Sequence, residues 1–575
     1  MFNYAEKTTV KTQYLNAEAL LRGDRRNVQK LDLLIIISRE AVVYGSGSLS
    51  SGPSVLASYL ESHGHSVFIL DNNSAYTEYS DKKILQLIGD NKIGVVGFSV
   101  NMLNAVSSYK LAKKIKEKFP KQIVCAGGLH TFDEPEEVGK QSFDISFVGE
   151  AEISLNKFLK LAKKEEGPID SSLFGDTKFI DSLKLIPGII INFENKLLNT
   201  GPYEIIKDLD ELPIINHELF NVKDFILTKT DHHTVTTSLN FQRGCPFKCT
   251  YCKADFMGGK LRSNSADYII QTIKHVHEKY GQTHFTLIDA NFTVPRPRLI
   301  EFANKMIETG LSKKVTFWIQ TSITASVSDE NLQLLKKAGL NRISFGVERF
   351  TPEFREKMKK VGTQEQVFNV LKKIKENGIM TEINILVNFP YETEKSLEDE
   401  SKYLLKALPF VDFYRIHYLV PIPGTEMYNS EKVKSRWYLD EKIFYKRTSY
   451  YDLAYDINSP GVEFNLFQHS KKVLKKIRKF REKFYKMSLY NMKNFSSAPS
   501  RWIFRTLLVM DVFVAKISYF VYNINPTIEN IIFWPLKMIR INAVKYVISI
   551  WFNPASSKKK KQESDLISKA EPKKI

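Results

Sequence analysis

Cysteine is scarce in this chain: there are four in 575 residues, and three of them fall within residues 245–252. That leaves the cluster one thiolate short of a closed four-cysteine zinc site, and no histidine stands at finger spacing around it. The opening residues, Met1-Phe-Asn-Tyr-Ala-Glu-Lys, lack the apolar stretch of a secretion signal, so a reducing cytoplasm is expected. Internal repeats are missing, as is any long unbroken apolar run. The two most apolar stretches, 502–522 and 528–552, are interrupted by Arg505, Asp511 and Lys516, and by Lys537, Arg540 and Lys545. Each such charge costs roughly 3 kcal/mol at a bilayer centre, which argues against spanning helices. Acidic residues are outnumbered 64 to 83, giving a net charge of +19, with much of the excess beyond residue 465. Aromatics there are mixed with aliphatics in apolar stripes rather than interleaved with basic residues, which weighs against nucleic acid as a partner.

A hydrophobic fraction of 43% with 26% charged residues describes a globular chain, and its length requires two or three domains. The stretch around which the rest is arranged is Cys245-Pro-Phe-Lys-Cys249-Thr-Tyr-Cys252, entered from a β-branched run and the turn residue Gly244. Three thiolates in one tight turn suit a 4Fe–4S cluster with one iron left open. A zinc ion completed by a distant ligand, or thiols with no ligand at all, are the competing readings of the same residues.

Residues 30–165 alternate apolar strands (31–38, 67–71, 93–99, 122–126, 145–148) with helical patterns (53–62, 81–89, 105–119, 151–163). Continuous apolar strands alternating with helices predict a doubly wound parallel sheet whose ligand sits at the carboxyl ends of the strands. Small residues collect there, in 45–52, 99–101, 127–130 and at Gly149-Glu150. A response-regulator-like or purely structural domain gives the same alternation. Cys125 is expected to be a buried strand residue, and His63 and His65 to be surface residues. Residues 166–235, with Pro168, Pro187, Pro202 and Pro213, read as a connector. Alternation resumes with strands at 236–241, 284–289, 314–319, 342–347, 382–387 and 413–419, separated by helical patterns, which predicts an incomplete parallel barrel. Asp289, Asn291, Gln320, Glu348 and Asn388 fall at its strand ends, although acids in such places are often helix caps.

The CxxxCxxC spacing, with Tyr251 before its third cysteine, resembles the radical S-adenosylmethionine superfamily. The run Ile123-Val-Cys-Ala-Gly-Gly-Leu-His130, followed by Phe143-Asp-Ile-Ser-Phe-Val-Gly-Glu-Ala-Glu152, resembles the cobalamin-binding domain that precedes many of its barrels. The likeness covers roughly residues 30–430, and implies class B methylase-like chemistry. It makes Cys245, Cys249 and Cys252 the cluster ligands. Tyr251, Asp289, Gln320, Glu348 and Asn388 become S-adenosylmethionine contacts, with Asn388 standing where the family has glycine. Ser99, Gly127, Gly128, Gly149 and Glu150 become cobalamin contacts. The Asp-x-His-x-x-Gly motif of histidine-ligated cobalamin domains is missing, since 39–52 holds no histidine.

The expected fold is therefore α/β, with an extension (1–29), a Rossmann-like cobalamin-binding-type domain (30–165), a linker (166–235) and a partial (β/α)6 TIM-type barrel (236–430). A helical, basic and aromatic region (431–555) and a disordered basic tail (556–575) follow. The expected activity is reductive cleavage of S-adenosylmethionine to a 5′-deoxyadenosyl radical and C-methylation of an unactivated carbon. The substrate is a small molecule or a lipid, isoprenoid or tetrapyrrole, and a flavodoxin or ferredoxin donates electrons. No catalytic side chain is assigned. Oxidative cyclisation without methyl transfer is the rival. An RNA methylthiotransferase normally carries an extra cluster with three more cysteines, which Cys125 alone cannot provide. The basic pattern at 471–485, with Val473, Leu474, Ile477, Phe480 and Phe484 on one face, fits either a packed helix or attachment to the inner face of a membrane. Residues 437–455 are expected to lid the barrel.

Overall fold

The computed structural model describes residues 30–38, 51–72, 79–164, 169–193, 196–219, 237–253, 260–323, 327–430 and 467–491. Two sheets carry the chain, one of seven strands and one of six. The first holds β1 (Lys30–Ile37), β2 (Val67–Asp71), β3 (Lys92–Ser99), β4 (Ile123–Gly127) and β5 (Ile145–Phe147). To these are added β6 (Ile189–Phe193) and β7 (Lys196–Asn199), in the order β2-β1-β3-β4-β5-β6-β7. Strands β1 and β2 bury nearly every residue because helices cover both faces, hence their continuous apolar sequence. The reversal of order about β1 and β3 opens the crevice where doubly wound sheets bind ligands.

Two differences from expectation stand out. Strands β6 and β7 come from the stretch read as a connector, and they pair antiparallel on β5 and on each other, so the sheet is mixed. His65 is buried, with its Nε2 2.9 Å from Asn156 Oδ1, because the helix carrying Asn156 closes over the chain where it enters β2. The neighbouring His63 is exposed. Cys125 is buried in β4, where burial pushes its thiol far up.

The second sheet holds β8 (Thr237–Leu239), β11 (His284–Leu287), β12 (Thr316–Thr321), β13 (Leu340–Glu348), β14 (Met380–Val387) and β15 (Phe413–Tyr418), all parallel, in that order. It is an open six-stranded barrel. Between β8 and β11 lies a two-stranded ribbon, β9 (Gln242–Arg243) paired with β10 (Arg262–Ser263), which brackets the cysteine loop. Period-two alternation divides the faces. Phe285, Leu287, Phe317, Ile319, Ile343, Phe345, Ile383 and Ile385 join the core beneath the helices. The alternate positions are polar: Thr286 pairs with Trp318, Trp318 with Arg342, Gln320 with Ser344, Ser344 with Glu382 and Asn384 with Arg415.

On this polar face Glu382 is held by Arg342 (3.3 Å), Arg415 (2.8 Å) and the Ser344 hydroxyl (2.9 Å). Burial alone would raise its carboxyl, but the two guanidinium groups and the hydroxyl hold it down at about 2. Glu382→Gln is therefore expected to lower stability by about 3–5 kcal/mol, because it leaves buried guanidinium charge uncompensated. The depressed value means that this stabilisation is fully present above pH 4.5 and is lost as pH falls through about 2. Acid unfolding of wild type and variant should converge in that window, and parallel curves at all pH values would contradict the assignment.

The helix Lys471–Asn491 packs on the barrel's β15 edge. Ile477, Phe480 and Phe484 enter the barrel core, Arg481 Nε donates to Ile416 O at 2.9 Å, and Lys476 pairs with Glu398 at 2.7 Å. Of the two readings of this helix, the packed one describes its apolar face. No helix among the described residues is long and apolar enough to cross a membrane. The expected lid at 437–455, the stretches 502–522 and 528–552, and the tail lie outside the described residues.

Candidate functional site

The cysteine loop leaves the barrel through Gly244, whose φ of +88° and close approach to Lys260 O (2.6 Å from an added Cβ) admit only glycine. Cys252 N donates to Cys249 O at 3.0 Å, Thr250 N to Met358 O at 3.1 Å, and Met427 N to Thr250 O at 2.9 Å. The loop is thus tied to the ends of the barrel's fourth and sixth units. Cys245 and Cys249 are half-buried and Cys252 is exposed, and none of the three is in a disulfide. Burial raises the Cys249 thiol, opposed by Lys360 and Tyr251. Among the described residues no three His, Cys, Asp or Glu side chains are grouped to hold a single metal ion. A 4Fe–4S cluster asks instead for thiolates at three corners of a larger cube, and three cysteines on one short loop fit that donor set.

Tyr251 and Glu348 are brought together by a residue that sequence reasoning missed. Lys360 Nζ lies 3.3 Å from the Tyr251 hydroxyl and 3.4 Å from Glu348 Oε1. No motif marks Lys360; only the loop's contact with the end of β13 reveals it. Glu348 has a φ of +65° and Asn388 one of +72°. Such values are uncommon outside glycine, and Asn is among the residues that tolerate them best, which accounts for Asn388 in a glycine's place. Asn388 is fully buried, and its side-chain Oδ1 and Nδ2 have no hydrogen-bond partner among the described residues.

A cavity of about 670 Å3 lies between the two sheets. Ser99, Gly127, Gly128, Gly149, Glu150 and Gln320 line it, together with Gly244 and Lys253 from the two ends of the cysteine loop. Gly128 sits at φ +104°, and a Cβ there would lie 2.7 Å from Val100 O, so this edge of the cavity is bare backbone. A glycine cradle at the carboxyl ends of parallel strands, facing apolar walls, fits a large planar ligand such as a corrin. The supposed connector is part of the wall through Leu209, Leu212 and Ile215. Residues 45–50 of the small-residue loop lie outside the described residues.

Of the expected contacts, Tyr251, Asp289, Glu348 and Asn388 lie outside this lining, and Glu150 lies in it with its carboxylate engaged. Asp289 is fully buried and outside the cavity lining, although Ile288 and Ala290 are in it. It accepts from Phe241 N at 2.6 Å and lies 3.7 Å from Arg298, and burial lifts its carboxyl to about 6. In this position it ties the end of β8 to the end of β11. Glu150 lines the cavity, but both its carboxylate oxygens are engaged by Arg243 and Arg262.

Residues 239–404 match the radical SAM superfamily model and residues 45–159 the B12 binding domain model. An uncharacterized methyltransferase of Pyrococcus horikoshii is 25% identical over 408 residues, covering 70% of this chain and 83% of that protein. The anaerobic magnesium-protoporphyrin IX monomethyl ester cyclase of Cereibacter sphaeroides is 24% identical over 329 residues, 56% of this chain and 51% of that one. In fold, the chain is similar to the radical S-adenosylmethionine methyltransferase TsrM of Kitasatospora setae, solved with cobalamin and a [4Fe-4S] cluster bound. The TM-score is 0.56 at 17% identity, over 69% of this chain and 77% of that one.

Proposed function

Because the chain belongs to the radical S-adenosylmethionine enzymes that carry a B12-binding domain, we propose that it C-methylates an unactivated carbon of an apolar small molecule, such as a lipid, isoprenoid or tetrapyrrole. The observation that carries this reading is the single cavity onto which the glycine cradle and both ends of the cysteine loop open. When bound, the cluster supplies an electron that cleaves S-adenosylmethionine to a 5′-deoxyadenosyl radical, and cobalamin supplies a methyl group for the carbon so activated.

The chain's own residues hold, aim and shield. Cys245, Cys249 and Cys252 hold the cluster. Tyr251, Glu348 and Asn388 surround the S-adenosylmethionine site, where Lys360 fixes Tyr251 against Glu348 and the Asn388 amide, unpaired among the described residues, offers both a donor and an acceptor. Gln320 reaches the cavity from β12. Ser99, Gly127, Gly128 and Gly149 cradle the corrin. Leu33, Ile35, Leu209, Leu212 and Ile215 exclude water from the reacting carbon. A flavodoxin or ferredoxin supplies the electron.

The similarity to the cyclase favours a second reading, oxidative ring closure without methyl transfer. The two separate by product mass. Anaerobic enzyme would be given a reductant, S-adenosylmethionine with a trideuterated methyl group, and a lipid and pigment extract. Methylation predicts 5′-deoxyadenosine together with an extracted product carrying the labelled methyl. 5′-Deoxyadenosine with an unlabelled product that has lost hydrogen would replace the first reading by the second.

A further inference from the structure

Among the described residues, a buried charge cluster joins the two sheets and has no ligand role in the function proposed above. Glu150 and Glu152 follow β5 in the B12-binding-type domain; Arg243 and Arg262 face each other as a register pair on the ribbon β9–β10. Arg243 Nη1 donates to Glu150 Oε2 at 2.7 Å and Arg243 Nη2 to Glu152 Oε1 at 2.5 Å. Arg262 Nη2 donates to Glu150 Oε1, and Arg262 Nη1 to Glu150 Oε2 at 3.2 Å and to Ile206 O. All four side chains are between 5% and 11% exposed. Two carboxylates are matched by two guanidinium groups, so the cluster is neutral as a whole. Bidentate guanidinium–carboxylate pairing fixes orientation as well as distance.

Position gives the cluster its meaning. The ribbon is the base of the cysteine loop: Arg243 precedes Gly244 and Cys245, and Arg262 closes the far side. Glu150 follows Gly149, on the cavity wall. A second tie lies at the other end of the loop. There, Lys253 stands 3.7 Å from Asp133, 5.3 Å from the centre of the Phe132 ring, and donates to Gly424 O at 3.3 Å. Asp133 and Phe132 belong to the short helix Leu129–Asp133 that begins beside Gly128. Each end of the cysteine loop is therefore gripped by a segment that begins at a glycine of the cradle.

We propose that Glu150 is a positioning residue, which through Arg243 and Arg262 sets the distance and orientation of the cluster relative to the corrin instead of contacting either cofactor. Both cofactors must be present for the clasp to act, so it stands on the two-cofactor reading above. Pairing at a buried site is poorly replaced by water, and a loop freed at its base would sample a range of separations.

The test uses the full-length holoenzyme with reduced cluster and Co(II) cobalamin, two paramagnetic centres whose magnetic coupling reports their separation. Wild type is expected to show one narrow coupling. Glu150→Gln is expected to keep its iron and cobalt content while the coupling broadens. Arg262→Gln, which leaves the cobalamin-facing domain untouched, should broaden it likewise and covers the case in which the first variant does not fold. The double variant should be no broader than either single one, the signature of residues acting as one unit. Couplings as narrow as wild type in both single variants would overturn the proposal. So would loss of cobalt confined to Glu150→Gln, which would make Glu150 a direct contact. Wild-type protein holding iron but no cobalt would instead remove the two-cofactor reading, and the clasp's role with it, before any variant is made.

Discussion

Cys249→Ala is expected to reduce bound iron after anaerobic reconstitution to less than about a tenth of wild type and to abolish formation of 5′-deoxyadenosine, since two thiolates do not retain a site-differentiated cluster. Cys249 is the middle cysteine of the loop, and its carbonyl accepts from Cys252 N at 3.0 Å, so the backbone turn itself needs no sulfur. The variant should therefore remain folded, which circular dichroism checks. Cys125→Ala is the control. That thiol is buried in β4, 3.2 Å from the position a Cβ would take at Gly97, and is no part of the loop. Its removal should leave a small cavity, a modest loss of stability and full iron. Equal iron loss in both variants would mean that the fold, not ligation, had been disturbed.

The second large effect is expected at Glu392→Gln. Arg349 and Glu392 are both fully buried side chains and form an ion pair across the ends of β13 and β14. The Arg349 guanidinium lies 4.2 Å from the Phe354 ring centre and 5.5 Å from that of Phe389, while its Nε and Nη1 have no hydrogen-bond partner among the described residues. Glu392 Oε2 also accepts from Asn388 N at 3.1 Å, and its Oε1 from Ser396 Oγ at 2.5 Å. Neutralising the carboxylate leaves a guanidinium charge in an aromatic enclosure, with an expected loss of about 3–5 kcal/mol in chemical denaturation. Because the same carboxylate holds the backbone of Asn388 at its positive φ, S-adenosylmethionine binding by equilibrium dialysis should weaken in protein that remains folded. Replacing Arg349 and Glu392 together by leucine and methionine should cost less stability than Glu392→Gln alone, since no unpaired charge remains. A double variant less stable than the single one would refute this account of the pair.

Both α/β units were legible because their strands are buried on one or both faces and their helices are amphipathic, patterns carried by local residues. The cysteine triplet was legible because proximity in sequence is proximity in space. What escaped is what depends on distant partners. The strands β6 and β7 are short, sit among prolines, and gain strand structure only by adding to the exposed edge of β5. The family resemblance makes Glu150 a cobalamin contact, while the partners that engage its carboxylate, Arg243 and Arg262, lie 93 and 112 positions away and leave no local signal. Asp289 marked the right strand end, yet the side chain turns to Phe241 N and Arg298, behind the wall its neighbours form. Lys360 carried no sequence signal at all. The helix at 471–491 was legible as amphipathic, but only its Ile477, Phe480 and Phe484 against the barrel show what its apolar face covers.

The most direct measurement of the central claim is a metal count. Protein purified anaerobically and reconstituted with iron, sulfide and hydroxocobalamin would be freed of unbound cofactor and assayed for iron, sulfide and cobalt, with a visible spectrum. The account predicts about four irons and about one cobalt per chain. Four irons with no cobalt would contradict it, leaving a radical enzyme whose glycine cradle serves some other ligand.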